Sequence, residues 1–424
     1  LSAWGYGFMR QGFFPDMVYD QLYMEYKLPE GTNSTRVAED LHEIETWLKT
    51  RPEIGAVTAS IGGTPARYNL VRSIATPSLS YGELIIDFAS PKALEENMDE
   101  IQRILTDRYP DAYVKLKRYN IMYKKYPIEA LFTGPDPAVL HALADSGEAR
   151  ILATVSSNRL ETTVPCIDVI NTYFGREKIP LGAPKGEAVS QDTWHKGLRW
   201  TSELPARFPH RTGSASQAED AVAVYRRALA GEPDTSVVVV TVGFFTNLRD
   251  LLLSGPDSLS ELTGRELVER KVKRLVSMAG HFPEGLEFNV MMDAPAAAYV
   301  MEHWPSPVIL SGFDIGEKII TGRRTAAEGP ADSPVAEAYR MSLPQDNPAG
   351  RNSWDQSAVL VAVRGPEPGF GLERGTLTVD PSDSTDRWTP DPSGRHARLT
   401  FRRPPEQIAE QIESLMMHRP VCGR

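Results

Sequence analysis

Residues 133–158 read "TGPDPAVLHALADSGEARILATVSSN". The stretch predicts a helix from Pro137 to Asp145 and a strand from Arg150 to Ser156. The patterns on its two sides differ, so the owner of this helix decides how the chain is divided.

To the right, "RILATVSS" is an apolar strand and "ETTVPCIDVINTYFG" a helix carrying Val164, Ile167, Ile170 and Phe174. "IPLGAP" is a short strand, and "QAEDAVAVYRRALAGEP" an amphipathic helix. "SVVVVTVG" is a continuous β-branched run, as expected of a parallel strand buried on both faces. Next come the helix "TNLRDLLLSG", the strand "RLVSMAG", the helix "APAAAYVMEHW" and the strand "PVILSGFD". Strands alternating with helices imply a doubly wound, mostly parallel α/β sheet.

To the left, "DQLYMEYK" is a strand, and the helix "TRVAEDLHEIETWLKT" gathers Val37, Leu41, Ile44, Trp47 and Leu48 on one face. "IGAVTASIGG" and "YGELIIDFAS" are strands. A second helix aligns Leu94, Met98, Ile101 and Leu105, and "AYVKLKRY" alternates Val114 and Leu116 with lysines. The order βαββαβ predicts a ferredoxin-like α+β domain. The expected division is residues 1–139 and residues 140–424. His42 and Glu43, with Glu39 and Glu45 nearby, read as a solvated helix face.

The chain's 424 residues suit two or three domains of roughly 150 residues. Hydrophobic content of 41% and charged content of 24% are ordinary for a globular protein. A net charge of -10 argues against a nucleic-acid-binding face. Cys166 and Cys422 are too far apart to suggest a C-x-x-C metal site. The longest apolar run, around Val237–Phe245, falls far short of the ~18 residues that span a bilayer. The chain begins at Leu1 with no apolar signal region, which reads as a processed or cropped sequence.

In a doubly wound sheet, ligands bind outside the carboxyl ends of the strands. Asn158 follows the first strand of the right-hand pattern, and Gly243–Asn247 follow the valine run. His281, Glu287 and Asn289 follow "RLVSMAG", Asp314 follows "PVILSGF", and Asp355 opens the helix "NSWDQSAVLVAV". Amides and carboxylates of this kind suit a polyhydroxylated ligand such as a sugar. Asn158 and Asp355 fit a helix cap as well as a ligand contact. Thr246, Asn247 and Asp293 fit caps better, and Asp314 a plain turn. His195, beside two tryptophans, fits exposed packing or catalysis. "GRRTAAEGPADSP" and "PSDSTDRWTPDPSGRH" read as surface loops.

Two resemblances follow from these segments. "FFPDMVYDQLYMEYKLPEGTNSTRVAEDLHEIETWLK" and "RYNIMYKKYPIEALFTGPDPAVLHALAD" resemble the periplasmic porter domain of resistance–nodulation–division efflux transporters, over residues 8–145. That likeness implies a ferredoxin-like subdomain, without the membrane helices that carry the proton relay. It also implies a periplasmic location, and a surface able to contact a porter or to self-associate as a homo-oligomer. "GEARILATVSSN", "IDVINTYFGREKIPLGAPKG", "VVVVTVGFFTNLRDLL", "LEFNVMMDAPAAAYVM", "NSWDQSAVLVAVRG" and "RRPPEQIAEQIESLM" resemble the inosine–uridine-type nucleoside hydrolases over residues 140–420.

The second resemblance implies hydrolysis of the N-ribosyl bond of a nucleoside, with a calcium ion on the ribose diol that activates water. By position, Glu287 and Asn289 would hold ribose hydroxyls, Asn158 would lie beside the ribose, and His281 stands where some members bind ribose. The backbone carbonyl of Val242 and the carboxylate of Asp355 would be calcium ligands. The family's first strand ends in an aspartate loop of the form D-x-D-x-x-x-D-D. Here that strand and loop are missing from the pattern, which opens mid-helix at "LHALADSGEA". "YPIEALFTGPDPAV" stands in their place, with Glu129 and Asp136 as its only carboxylates, and is able to serve as a surrogate strand. Trp354 replaces the histidine that precedes the aspartate in many members. The chain therefore reads as a chimera with an impaired hydrolase part. A ribose-binding module without catalysis, a transporter-derived interaction fragment and an artefactual fusion are the alternatives.

Overall fold

The computed structural model describes residues 19–28, 32–65, 78–118, 127–131, 137–192 and 199–420. The chain divides into two compact units, residues 1–124 and 125–424.

In the first unit four strands, β1 (Gln21–Lys27), β2 (Ile54–Ile61), β3 (Tyr81–Phe88) and β4 (Tyr113–Arg118), alternate with two helices in the order βαββαβ. The sheet runs β2-β3-β1-β4 with every pairing antiparallel. Helix Ser34–Leu48 starts where the Asn33 side chain accepts from the Thr35 N–H at 3.1 Å. Helix Pro91–Arg108 starts at Ser90, with proline in its first turn where no N–H is needed. Val37, Leu41, Ile44 and Leu48 of one helix and Leu94, Ile101 and Leu105 of the other are buried. They pack with Leu22, Met24, Leu84, Ile86, Val114 and Leu116 of the strands.

The second unit is built on a sheet of eleven strands among the described residues. In chain order these are β5 (Pro127–Leu131), β6 (Arg150–Val155), β7 (Leu181–Ala183), β8 (Glu219–Asp220), β9 (Val237–Thr241), β10 (Val272–Met278), β11 (Glu284–Gly285), β12 (Val308–Ser311), β15 (Phe370–Val379), β16 (Asp386–Pro390) and β17 (His396–Phe401). A separate pair is formed by β13 (Ile320–Thr321) and β14 (Arg351–Asn352). The order across the large sheet is β11-β16-β15-β17-β12-β10-β9-β5-β6-β7-β8. From β17 to β8 all neighbours are parallel, and the remaining edge is an antiparallel ribbon.

The valine run behaves as its composition demands. All five residues of β9 are buried. Val237 and Val239 enter one hydrophobic cluster and Val238 and Val240 the other, because successive side chains leave a strand on opposite faces.

The expectation that the sheet lacks its first strand is corrected. β5 pairs in parallel with β6 on one side and with β9 on the other. "PIEAL" therefore fills the central place, and the helix Pro137–Asp145 follows it. By its hydrogen bonds the strand expected on the first side of the seam is part of the second sheet. The reading of "PSDSTDRWTPDPSGRH" and "GRRTAAEGPADSP" as plain loops is also corrected. The former contributes β16 and the latter helix Arg323–Glu328. Both are short polar elements held by tertiary pairing rather than by their own composition.

Candidate functional site

Strand order reverses between β5 and β9, since β6, β7 and β8 extend to one side and β9, β10 and β12 to the other. The crevice for a ligand at such a reversal lies outside the carboxyl ends of the strands. Four described loops leave the sheet there, at Ser156, Val242, Ala279 and Gly312. The residues after β5, 132–136, lie outside the described residues, as does His195.

After β6 the chain makes a tight polar turn. Asn158, 7% exposed, uses its amide on the backbone. Its Oδ1 accepts from the N–H groups of Leu160 at 3.0 Å and Gln191 at 3.1 Å, and its Nδ2 donates to the Gln191 carbonyl at 2.7 Å. It caps no helix, since the following helix is preceded by Thr162. Ser157 Oγ accepts from the Phe244 N–H at 3.1 Å, and Asn247 Nδ2 donates to the Ser156 carbonyl at 2.8 Å. These two bonds tie the loop after β6 to the loop after β9. Asn247 is thus a fastening rather than a cap. Thr246 Oγ1 donates to Asp293, which also caps its own helix by accepting from the Ala296 N–H at 3.2 Å. Val242, whose carbonyl the family resemblance singles out, is buried just past β9.

The loop after β10 carries the densest group of candidate residues. Gly280 has φ +93°, a backbone conformation that favours glycine. Glu287, 2% exposed, caps the short helix Phe288–Met292 and accepts from the N–H groups of Asn289 and Val290, both at 3.1 Å. Burial, with nearby Asp386 adding to it against the opposing backbone N–H groups, pushes the Glu287 carboxyl up to about 7. A carboxyl so raised can hold a proton closer to neutrality than an ordinary glutamate, and a protonated carboxyl donates as well as accepts. Asn289 donates from Nδ2 to the Met278 carbonyl at 3.2 Å, which holds the helix against the end of β10. His281 sets its ring edge-on to Phe313, with centroids 5.1 Å apart.

Phe313 and Asp314 follow β12, in the first turn of helix Phe313–Gly316. Phe313 also lies 5.3 Å from the Trp354 ring, whose Nε1 donates to the Phe313 carbonyl at 3.0 Å. Trp354 and Asp355 open helix Trp354–Arg364, preceded by Ser353. The Asp314 carboxyl is raised above the ordinary range by burial. His281, Phe313 and Trp354 thus form a chain of ring contacts from the loop after β10 through the loop after β12 to the helix Trp354–Arg364, and Glu287 and Asn289 place buried polar groups on the same loop as His281.

Sequence reasoning missed Asp386. Its carboxylate is fully buried and accepts from the His281 N–H at 2.7 Å and the Glu287 N–H at 2.9 Å. The available signal was the alternation of "TLTV" and "DRWT" on either side of a turn, which is hairpin grammar.

Among the described residues the donor set does not fit a calcium ion. Ca²⁺ takes about six to eight oxygens, several of them carboxylate. Among the described residues no group of three or more His, Cys, Asp or Glu side chains is placed to hold a metal. The segment joining β5 to the next helix carries a single acid, Asp136. Val242 and Asp355, with that one acid, leave the shell far short.

A mostly parallel α/β sheet with a reversal point, and candidate polar and aromatic side chains at its carboxyl edge, is an architecture of the nucleoside-hydrolase type. The chain belongs to the inosine-uridine preferring nucleoside hydrolase family, whose family model matches residues 135–396. The purine-preferring ribonucleoside hydrolase from Gardnerella vaginalis is 17% identical with a TM-score of 0.53, over 69% of this chain and 99% of that one. The inosine-uridine preferring nucleoside hydrolase from Bacillus anthracis is 15% identical with a TM-score of 0.51, over 69% and 98%. A plant nucleoside hydrolase gives 14%, 0.51, 70% and 100%. At such identities the likeness speaks for the fold alone. No curated protein matches the chain. Among the described residues no helix is long and apolar enough to cross a membrane.

Proposed function

We propose that the second unit recognises the ribose of a nucleoside at the carboxyl ends of β9, β10 and β12, and cleaves its N-ribosyl bond weakly or not at all. The observation that supports this reading is the Glu287–Asn289 pair, buried on the loop after β10 that also carries His281. A carboxyl poised near neutrality and an amide match vicinal hydroxyls, which both donate and accept. On this reading Asn158 fastens the neighbouring loop without touching ligand, and His281 contributes its ring. The weak-activity reading rests on the sparse oxygen set: Val242 and Asp355 do not replace a calcium shell.

Calorimetry with inosine and with uridine, in calcium and in chelator, tests the proposal together with an assay of released base. The expected outcome is nucleoside affinity indifferent to calcium and little base release. Base release that rises with calcium would overturn the weak-activity reading, and no affinity for either nucleoside would overturn the ribose reading.

For the first unit we propose a ferredoxin-like fold of porter type, forming a chimera with the hydrolase-type unit. Its support is the βαββαβ order with the antiparallel β2-β3-β1-β4 sheet. On this reading the unit is an interaction module in the periplasm that brings copies of the chain together. Light scattering on the full chain should then report an oligomer; a strict monomer would argue against it. Amplifying the junction from source DNA tests whether the two parts belong to one gene.

A further inference from the structure

The segment between β10 and the helix Phe288–Met292 is gripped by the C-terminal ribbon. β11 pairs antiparallel with β16, placing Glu284 opposite Arg387 and Gly285 opposite Asp386. The Trp388 N–H donates to the Pro283 carbonyl at 2.8 Å, and the Phe282 and Trp388 rings meet edge to face at 5.4 Å. Arg398 of β17 lies over the Phe282 ring at 5.0 Å while its Nη2 donates to Glu373 of β15 at 2.9 Å. Gly285 is needed for this closeness, since a Cβ there would stand 1.8 Å from His281 Nδ1.

At the centre sits Asp386, fully buried, with one carboxylate oxygen on the His281 N–H and the other on the Glu287 N–H. A buried carboxylate is costly unless its oxygens are satisfied. Here they are spent on two amides that flank the turn carrying the site. We propose that Asp386 is a positioning residue, a two-pronged clamp by which the C-terminal ribbon sets the place of Glu287 and His281 for ligand. The proposal rests on the reading of Glu287 as a ribose-binding group.

The clamp reaches the site through the backbone. The Glu287 side chain is aimed by its own cap bonds to Asn289 and Val290, and its backbone N–H is held by Asp386. Shifting that N–H moves the carboxyl with it. The ribbon thereby becomes part of the binding apparatus rather than an edge decoration.

Amide exchange resolved to single residues tests the clamp without any ligand. In the native protein the His281 and Glu287 amides should exchange at least tenfold more slowly than those of exposed Glu284 and Leu286, as held amides do. Exchange of both at the exposed rate overturns the proposal outright. In Asp386→Asn, which keeps one acceptor oxygen and adds a donor, exchange across 280–290 should accelerate while β9 and β10 stay protected. Inosine affinity should then fall about tenfold, the scale of one lost bond to a charged group. That loss should vanish in the Glu287→Gln background, because residues acting through one another are not additive. A lowered melting point with unchanged segment exchange and unchanged affinity would make Asp386 structural only and sink the proposal. If the native protein binds neither inosine nor uridine, the ribose reading fails, and the exchange measurements alone decide whether the clamp exists.

Discussion

Two loops leave the sheet on its carboxyl edge and use their polar side chains in opposite ways. After β6, Asn158 spends both ends of its amide on neutral backbone partners in its own loop and at Gln191. After β10, Glu287 is a buried acid whose proton is lost near neutrality. The first is a fastening whose worth is independent of pH. The second is held by cap bonds yet remains chemically adjustable. The difference teaches that placement at a strand end does not by itself make a ligand group; what matters is the capacity left after the scaffold has been served.

The largest effect expected from breaking this comparison is at Asn158. Asn158→Ala strands two N–H donors and a carbonyl in a mostly buried turn. The cost should be roughly 4 kcal/mol, from three lost bonds. Denaturant unfolding checks it. Nucleoside affinity, measured where the variant is still folded, should change little. A large affinity loss at unchanged stability would reverse the assignment and make Asn158 a ligand contact.

Glu287→Gln should have the next largest effect, of the opposite sign. The native carboxyl titrates at about 7 against an ordinary value of 4.5. The folded state thus holds the proton more tightly than the unfolded state. Its contribution is fully present below pH 4.5 and is lost as pH rises through about 7. The loss amounts to something on the order of 3 kcal/mol. Gln carries no such charge, so the variant should match the native protein near pH 4.5 and be the more stable at pH 8. Unfolding curves across that range are the measurement, and parallel curves for the two proteins would show that burial does not perturb Glu287.

The contrast also explains what could be read beforehand. The helices and parallel strands were legible because their apolar spacing is local: four consecutive valines, or Leu94, Ile101 and Leu105 on one face. Glu287 and Asn289 were candidates because the family resemblance passes through them, and the structure places both, buried, just past β10. The partners of Asn158 were not, since Gln191 is 33 residues away. Asp386 was hidden further still. Its partners lie 105 and 99 residues upstream, and its neighbours Pro381, Ser382, Asp383 and Ser384 are turn formers that mask a two-stranded ribbon. The place of β5 was open for another reason. A strand followed by a helix suits both halves of the chain, and only its hydrogen bonds to β6 and β9 decide.

The smallest expected effect lies one residue from the clamp. Arg387 follows Asp386 on β16 and forms a two-pronged ion pair with Glu284, at 2.9 and 3.0 Å, across the same β11–β16 pairing. By geometry alone it holds the loop after β10 as well as Asp386 does. Yet its side chain is 62% exposed and that of Glu284 50% exposed, so water and salt screen the pair and both long side chains lose freedom in making it. Asp386 has no water to fall back on, whereas Glu284 and Arg387 do. Arg387→Ala should therefore leave the melting point and the exchange of residues 280–290 within replicate error, at low salt as at high. Should Arg387→Ala instead loosen the loop as Asp386→Asn is expected to, burial would not be what separates the two contacts. The grip of the ribbon would then come from strand pairing and charge together, with Asp386 only one contributor among several.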